Sequence, residues 1–407
     1  MIIPRFLEKG DAVGVTAPSA GVTESTDRLR FAHARSYMER RGYRVVETPD
    51  VYTCDEDGRS APAGQRVREL GAVVGDPDVA AVYAASGGDY EFEMLPLMDW
   101  RLIEDNPKWI QGYSDNTVLL FKATAEHDIA TAYGGNFGDF GMEPLHPSVV
   151  QGLEFLEGAR TSQRSFRRHA SGFADRVTGL EPFPEDSVTE WTSTKGDVSF
   201  GGRLIGGCMD VIEWFLRNGA ADASGFAERY SGEGIVWYLE TFDMDAARVR
   251  DTLSAMISRG WTKGCTGVVF GRPLFYSGPE GYEDAAMSVL GGLDVPVLFG
   301  ADVGHKAPRM AFVNGAVAEF DFRGGECGLS YDFGVDGRAR WQCASRPDIS
   351  SCSGQHELPQ VLHREWRDGV LRMAHERNVH QRDHAIHKQP IGAVHGIDVG
   401  RVLDFHL

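Results

Sequence analysis

Several features that mark common protein classes are missing from this chain of 407 residues. The formal net charge is -18, so the chain lacks the basic character that binding to nucleic acid phosphates requires. No apolar run approaches the roughly 20 residues that span a bilayer, and the first residues lack the apolar segment of a signal peptide. We therefore expect a cytoplasmic protein that has neither nucleic acid nor a membrane as a partner.

Cysteine pairs and nucleotide-binding motifs are absent as well. The six cysteines are irregularly spaced and form no CxxC pair, which fits reduced thiols better than a disulfide framework or a zinc site. No GxGxxG or Walker lysine pattern occurs, which argues against a nucleotide-dependent enzyme. The GxSxG elbow of ordinary α/β hydrolases is also missing. The sequence predicts no cofactor.

The chain does contain alternating strand and helix patterns. With 42% hydrophobic residues it can bury a sizeable core, and its length favours more than one domain. Strands alternating with helices predict an α/β fold with a mainly parallel sheet, whose chemistry lies at the carboxyl ends of the strands. The main predicted strands are 11–16, 43–47, 79–84, 109–112, 234–240, 267–270 and 295–299, and the main predicted helices are 26–41, 65–74, 90–98, 117–127, 246–259 and 282–290.

Composition divides the chain into four parts. We predict a first α/β domain over residues 1–157, a polar connector over 158–200, a second α/β domain over 201–343, and a tail over 344–407. The tail holds eight of the thirteen histidines, and we interpret it as mobile, or as a translated region unrelated to the fold. A piece over 365–377 could be helical. His380 and His384 have helical spacing near His387, but without HExxH or an acid in register they predict no metal site.

Ser114 lies where the strand Trp109 to Gly112 turns into a helix within the segment GYSDNT. Such a turn would expose the Ser114 hydroxyl at a helix N-terminus, where free amides and the helix dipole favour negative charge. The amide of Asp115 would then be placed to bind an oxyanion. The alternative is that Ser114 or Asp115 simply caps the helix.

Glu240 and His305 follow two strongly apolar runs of the second half, IVWYLE and VPVLFGADVGH. A histidine there could act as the general base for a serine, and a carboxylate could fix its tautomer. Asp243 and Asp245 are rivals to Glu240 for that role. A strand-end acid and a surface histidine are the simpler interpretations of the same residues.

Gly87 and Gly88 follow the strand 79–84. Two glycines allow close approach of the backbone to a substrate, and an exposed amide could be a second oxyanion donor. A tight turn that needs positive φ is the alternative.

Taken in order, these segments resemble the LD-carboxypeptidase family of serine peptidases, which includes the microcin C immunity peptidases. The resemblance covers roughly residues 5–325, through VTAPSAG, AASGGDYEFEMLPLMDW, KWIQGYSDNTVLL, GGRLIGGCMDVI, VWYLETFD, GVVFGRP and VPVLFGADVGHKAPRMAFVNGAVAEFD. Two segments depart from the family pattern: SGGDY replaces a GGYG-like stretch, and GGCMDVIEWF lacks the usual GGN.

The resemblance implies a Rossmann-like N-terminal domain with a smaller α/β C-terminal domain, and a site between them. It implies Ser114 as nucleophile, His305 as general base and Glu240 as its orienting acid, with the amides of Asp115 and Gly88 as oxyanion donors. It also implies a metal-independent and often dimeric enzyme. Gly87 and Trp191 are the predicted substrate contacts, Trp191 as a stacking platform or, alternatively, as a residue packed on the core.

We therefore predict a serine carboxypeptidase acting on a small peptide or peptide-like amide, with muropeptides ending in D-alanine as the family's usual substrates. The first alternative is a peptidase that cleaves amides linking an acidic amino acid to a nucleotide. The second is a non-catalytic peptide-binding protein on the same scaffold.

Overall fold

The computed structural model describes residues 1–173 and 176–334. The α-helices of these residues are α1 (Ser25–Arg41), α2 (Ala63–Gly75), α3 (Trp100–Asp105), α4 (Thr117–Ala125), α5 (Pro147–Leu156), α6 (Met209–Asn218), α7 (Ser224–Tyr230), α8 (Ala246–Ser258) and α9 (Tyr282–Leu290). Short 3₁₀ helices cover Pro49–Tyr52, Glu91–Leu97, Ser114–Asn116 and Phe137–Gly141.

The strands of the same residues form two large sheets and two small ones. In chain order they are β1 (Ala12–Thr16), β2 (Arg44–Glu47), β3 (Val79–Ala84), β4 (Trp109–Gly112), β5 (Thr131–Tyr133), β6 (Ser162–Arg164), β7 (Arg168–His169), β8 (Ser187–Val188), β9 (Thr192–Ser193), β10 (Val198–Cys208), β11 (Ile235–Glu240), β12 (Asp243–Asp245), β13 (Cys265–Gly271), β14 (Phe275–Ser277), β15 (Val297–Ala301), β16 (Phe312–Asn314), β17 (Val317–Arg323) and β18 (Glu326–Asp332).

The first sheet has the strand order β16-β5-β4-β3-β1-β2. All of its pairs are parallel except β16 with β5. Every residue of β1 and β3 is buried, because helices cover both faces of a parallel sheet and select continuous apolar strands. The carboxyl ends of β1, β3, β4 and β5 therefore meet at one edge, where Ser114 follows β4.

The second sheet has the order β6-β18-β17-β10-β11-β13-β15-β9. Its centre, from β10 to β15, is parallel, and antiparallel strands flank it on both sides. The register pairs Cys208 with Glu240, so β10 and β11 end side by side. The predicted α/β class, with a Rossmann-like parallel sheet and a second α/β part, is confirmed.

The sheets also contain pairings that the sequence did not indicate. Two pieces of the predicted connector, β6 and β9, form the edges of the second sheet, and β16 crosses from the second half to join the first sheet. These strands are two or three residues long, too short to show a periodic pattern. The predicted helix over 90–98 is instead the 3₁₀ helix Glu91–Leu97, which contains Pro96, a residue without a backbone donor.

The predictions for residues 344–407, namely the tail, a helix over 365–377 and the histidines at 380, 384 and 387, lie outside the described residues. Of the helices in residues 1–173 and 176–334, none combines the length and apolar character that a membrane span requires.

Candidate active site

Ser114 lies in a strained turn at the carboxyl end of β4. Its φ is +66°, a left-handed conformation that costs a non-glycine residue about 1–3 kcal/mol. The turn is tight, since a Cβ added to Gly112 would lie only 2.9 Å from Asn116. A hydrogen bond from the amide of Ser114 to the Tyr133 hydroxyl, at 3.0 Å, helps to hold it. The turn places the Ser114 hydroxyl ahead of α4, as the sequence pattern predicts.

Three residues far apart in the chain form one hydrogen-bonded chain at this point. The Oγ of Ser114 lies 2.9 Å from Nε2 of His305, and Nδ1 of His305 lies 2.8 Å from Oε2 of Glu240. A serine bonded to an imidazole that is bonded in turn to a carboxylate is the geometry of a nucleophile, a base and an orienting acid. The structure thus brings the three candidates together, while their catalytic roles stay predictions.

Glu240 is completely buried at the end of β11. Burial is the largest influence on its pKa and opposes ionisation, but the charge of His305 and hydrogen bonds from His305, Tyr133 and Cys208 outweigh it, so the pKa is lowered. Glycines make room for this carboxylate: a Cβ on Gly304 would lie 2.5 Å from its Oε2, and Gly304 has φ +105°. An ionised Glu240 is the form that can stabilise an imidazolium.

Neither rival acid bonds to His305 among the hydrogen bonds and ion pairs of the described residues. Asp245 caps α8, since its Oδ1 accepts the amide of Arg248 at 2.8 Å. The amide of Asp243 donates to Asp210 at 3.2 Å, at the start of the short strand β12. Among the described contacts, the carboxylate that meets the Nδ1 of His305 is that of Glu240.

The glycine pair lies directly against the serine. A side-chain carbon on Gly87 would be 3.1 Å from Cβ and 3.2 Å from Oγ of Ser114, so glycine keeps the space beside the hydroxyl open. Gly88 has φ +151°, and a Cβ there would meet the Ser19 hydroxyl at 2.3 Å. The glycine loop therefore passes beside the nucleophile candidate.

Two further contributions were not recognised from the sequence. The carboxylate of Asp115 accepts hydrogen bonds at 2.9 Å from the amides of Tyr90 and Glu91, and so holds the glycine loop. Tyr133 contacts both Ser114 and Glu240. The only available signal was position: Tyr133 ends β5, the strand next to β4, so its side chain lies at the same sheet edge as Ser114.

Trp191 is not placed as a stacking platform. Its side chain is 1% exposed, and its Nε1 donates to Oδ2 of the buried Asp302 at 3.1 Å. A ring that stacks on a substrate needs an open face, so the structure favours the alternative in which Trp191 packs on the core. The pKa of Asp302 is raised because burial outweighs the influence of Arg272 and its hydrogen bonds.

Aromatic rings line the surroundings of His305 instead. Phe242 lies 4.8 Å and Tyr113 5.4 Å from its imidazole, measured between ring centroids. Phe173 follows at 6.3 Å and is 54% exposed, the most open of these rings. Of these three rings only that of Phe173 is exposed, so it is the one that a planar or apolar group could contact.

Family models match both halves of the chain. The model of the LD-carboxypeptidase N-terminal domain matches residues 13–134, and that of the LD-carboxypeptidase C-terminal domain matches residues 201–320. Ser114 lies in the first match and Glu240 and His305 in the second.

Two of the curated relatives illustrate similarity over most of a relative's length. The microcin C7 self-immunity protein MccF of Escherichia coli is 26% identical over 349 residues, covering 78% of this chain and 92% of the relative. The "Probable murein peptide carboxypeptidase" of Bacillus subtilis is 29% identical over 330 residues, covering 77% and 90%. Among solved structures, MccF in complex with glutamyl sulfamoyl guanosine has a TM-score of 0.69 at 21% identity, covering 82% of this chain and 99% of that one. This last likeness concerns the fold.

Proposed function

Because the chain belongs to the LD-carboxypeptidase family, we propose that it is a serine carboxypeptidase that uses Ser114, His305 and Glu240. The observation that carries the proposal is the continuous chain of hydrogen bonds from Ser114 Oγ through His305 to Glu240. A protein that only binds peptides has no need for a serine, an imidazole and a buried carboxylate in this order.

The geometry supports acyl transfer in two stages. Ser114 Oγ attacks the carbonyl carbon of the scissile amide while His305 Nε2 takes the hydroxyl proton, and Glu240 stabilises the imidazolium that forms. The negative oxygen of the tetrahedral intermediate is bound by backbone amides, for which we propose Asp115 and Gly88. His305 then protonates the leaving amine, and the acyl group stays on Ser114.

The second stage releases the acyl group. A water molecule gives a proton to His305 Nε2 and attacks the ester carbonyl, and the ester bond to Ser114 breaks as the proton returns to Oγ. Gly87 borders the Ser114 hydroxyl, since a side chain there would lie 3.2 Å from Oγ, and we propose that substrate and water approach past this glycine.

We propose muropeptides ending in D-alanine as the substrate class. The support is the family itself and the murein peptide carboxypeptidase among the relatives. The test is to incubate the protein with a muropeptide tetrapeptide in EDTA and to measure the released D-alanine by mass. We expect release by the wild type and by Ser258→Ala, a serine substitution on α8, and none by folded Ser114→Ala. Activity that survives in Ser114→Ala would refute the mechanism.

A second candidate substrate is an amide that links an acidic amino acid to a nucleotide. The specific observation in its favour is the exposed ring of Phe173, 6.3 Å from the imidazole of His305. A nucleobase could stack on such a ring. Hydrolysis of an aminoacyl-nucleotide amide, with no D-alanine released from muropeptide, would favour this candidate. Binding of either ligand without turnover would instead indicate a peptide-binding protein.

A further inference from the structure

Tyr133 joins two members of the candidate triad through one hydroxyl group. Its side chain ends β5 and is buried, with 1% exposure. The Tyr133 hydroxyl lies 3.0 Å from the amide nitrogen of Ser114 and 2.5 Å from Oε1 of Glu240. The hydroxyl oxygen of Tyr133, in the first sheet, therefore contacts both the backbone of Ser114 and the carboxylate of Glu240 at the end of β11.

The direction of both hydrogen bonds is fixed by chemistry. The backbone amide of Ser114 can only donate, so the Tyr133 oxygen accepts from it. The hydroxyl proton is then available for Glu240, and an ionised carboxylate can only accept. Burial, followed by the charge of Glu240, raises the pKa of Tyr133 well above its ordinary value, so the phenol keeps this proton.

We propose that Tyr133 is a positioning residue that fixes the nucleophile and the acid of the triad relative to each other. The proposal rests on the proposed function. One hydrogen bond helps to hold Ser114 in its left-handed turn at φ +66°. The other occupies Oε1 of Glu240, which leaves Oε2 directed at Nδ1 of His305.

The arrangement also bears on which backbone amides can bind the oxyanion. The amide of Ser114 donates to Tyr133, so the oxyanion needs donors from other residues. The proposed donors, Asp115 and Gly88, meet this requirement. Tyr133 thus orients the turn that carries Ser114. Its own side chain is buried, so it does not contact the substrate.

The bond to Glu240 makes the pH profile a test of the proposal. A hydrogen bond to the ionised form lowers the pKa of a carboxylic acid. Loss of the Tyr133 hydroxyl should therefore raise the pKa of Glu240. The other titratable or charged groups that influence Glu240 are His305, Cys208, Arg309, Tyr113, Tyr238 and Tyr282. The acid limb of kcat/KM reports protonation of the bonded pair of Glu240 and its imidazole partner rather than of one group. The other groups stay in place when Tyr133 becomes phenylalanine, so a shift of the limb reports the missing hydroxyl.

The experiment compares Tyr133→Phe with Tyr83→Phe. Tyr83 is buried in β3, and its hydroxyl has no hydrogen-bond partner among the described residues, so the control removes the same atom from a similar setting. We expect kcat of Tyr133→Phe to fall about tenfold to hundredfold, the range for a lost hydrogen bond to a charged group. KM should stay the same, and the acid limb of kcat/KM should move to higher pH. Tyr83→Phe should match the wild type in kcat, in KM and in the position of the acid limb.

Unchanged kcat and an unchanged acid limb in folded Tyr133→Phe would overturn the proposal. If that variant melts below the assay temperature, the same measurements are made with 4-aminophenylalanine at position 133, which restores a donor and should recover most of the rate. A wild type that hydrolyses no substrate would refute the proposed function instead, so the two failures are distinguishable.

Discussion

The carboxylate of Asp115 accepts a hydrogen bond at 2.5 Å from the hydroxyl of Ser19, 96 positions earlier in the chain. The same oxygen, Oδ2, accepts the amides of Tyr90 and Glu91. The turn after β1, the glycine loop after β3 and the turn after β4 are therefore held by one side chain. Asp115 follows Ser114 directly, so it fixes the distance between the nucleophile and the glycine loop.

Replacing this side chain tests the relationship. In Asp115→Ala the Ser19 hydroxyl and the Glu91 amide lose this acceptor, while the Tyr90 amide keeps its 3.1 Å hydrogen bond to Ser19 Oγ. We expect the free energy of unfolding to fall by about 1–3 kcal/mol, the cost of buried donors left unpaired. We also expect kcat/KM to fall about tenfold or more, because the glycine loop loses its position beside Ser114. Urea unfolding and D-alanine release measure the two effects.

The matched control for Asp115 is Asp105→Ala, since Asp105 is an exposed aspartate at the end of α3. It should change neither stability nor rate. Equal stability of Asp115→Ala and the wild type would mean that the carboxylate does not hold the loop.

Gly87 gives a steric prediction beside the nucleophile. A methyl group there would lie 3.2 Å from Ser114 Oγ and 3.1 Å from its Cβ, a distance tighter than ordinary contact. We expect Gly87→Ala to reduce kcat/KM about hundredfold by displacing the hydroxyl from His305, with little change in melting temperature. Labelling of Ser114 by a fluorophosphonate should slow in parallel. Gly292→Ala is the control, because a Cβ there meets nothing within 4 Å; a Gly87→Ala variant as active as this control would contradict the proposed geometry.

Glu240 gives a prediction for stability as a function of pH. Its pKa in the folded protein is lowered from the ordinary 4.5. A lowered pKa means that the ionised carboxylate stabilises the fold fully above pH 4.5 and that this contribution is lost as the pH falls through the lower folded value. The difference in free energy of unfolding between wild type and Glu240→Gln should therefore change in favour of Glu240→Gln as the pH falls below about 5.

Urea unfolding of both proteins at several pH values between 7 and 3.5 measures this difference, and titrating groups that do not interact with Glu240 cancel in it. The opposite sign, with the wild type gaining relative stability in acid, would mean that burial dominates and that Glu240 is protonated in the fold. We expect kcat/KM of Glu240→Gln at pH 7 to fall by about 10⁴-fold, as for loss of the orienting acid in other triads.

Position at strand ends was the part of the site that the sequence could indicate. Ser114, Glu240 and His305 each lie at or after the end of an apolar run, which made each of them a candidate. Ser114 follows a strand of the first sheet and the other two follow strands of the second, so their meeting was indicated only by the family resemblance. The apolar runs of β1, β3 and β11 likewise predicted buried strands, which the structure has.

The contacts that hold the site were not predictable in the same way. The Tyr133 bond to Glu240 spans 107 positions, and that of Ser19 to Asp115 spans 96, so neither leaves a local pattern. The role of Trp191 could not be decided from the sequence either. An aromatic residue in a polar segment is compatible with a stacking platform or with a core position, and only its bond to Asp302 and its burial separate the two. Two-residue edge strands such as β9 depend on the sheet they join and carry no signal of their own.

Phe173 is the residue whose substitution should separate the two candidate substrates. Its ring is 54% exposed and lies 6.3 Å from the imidazole of His305, with Phe242 at 6.2 Å and Phe275 at 6.3 Å on its buried part. For an aminoacyl-nucleotide amide we expect Phe173→Ala to raise KM about tenfold, since stacking contributes about 1 kcal/mol or more. Phe173→Leu, which keeps apolar bulk without a planar face, should recover little of the affinity. For a muropeptide, which has no aromatic group, Phe173→Ala and Phe173→Leu should both leave KM within about twofold of the wild type, because nothing planar is lost. A rise in KM for both substrates would mean instead that the ring shapes the entrance to the site rather than recognising a nucleobase.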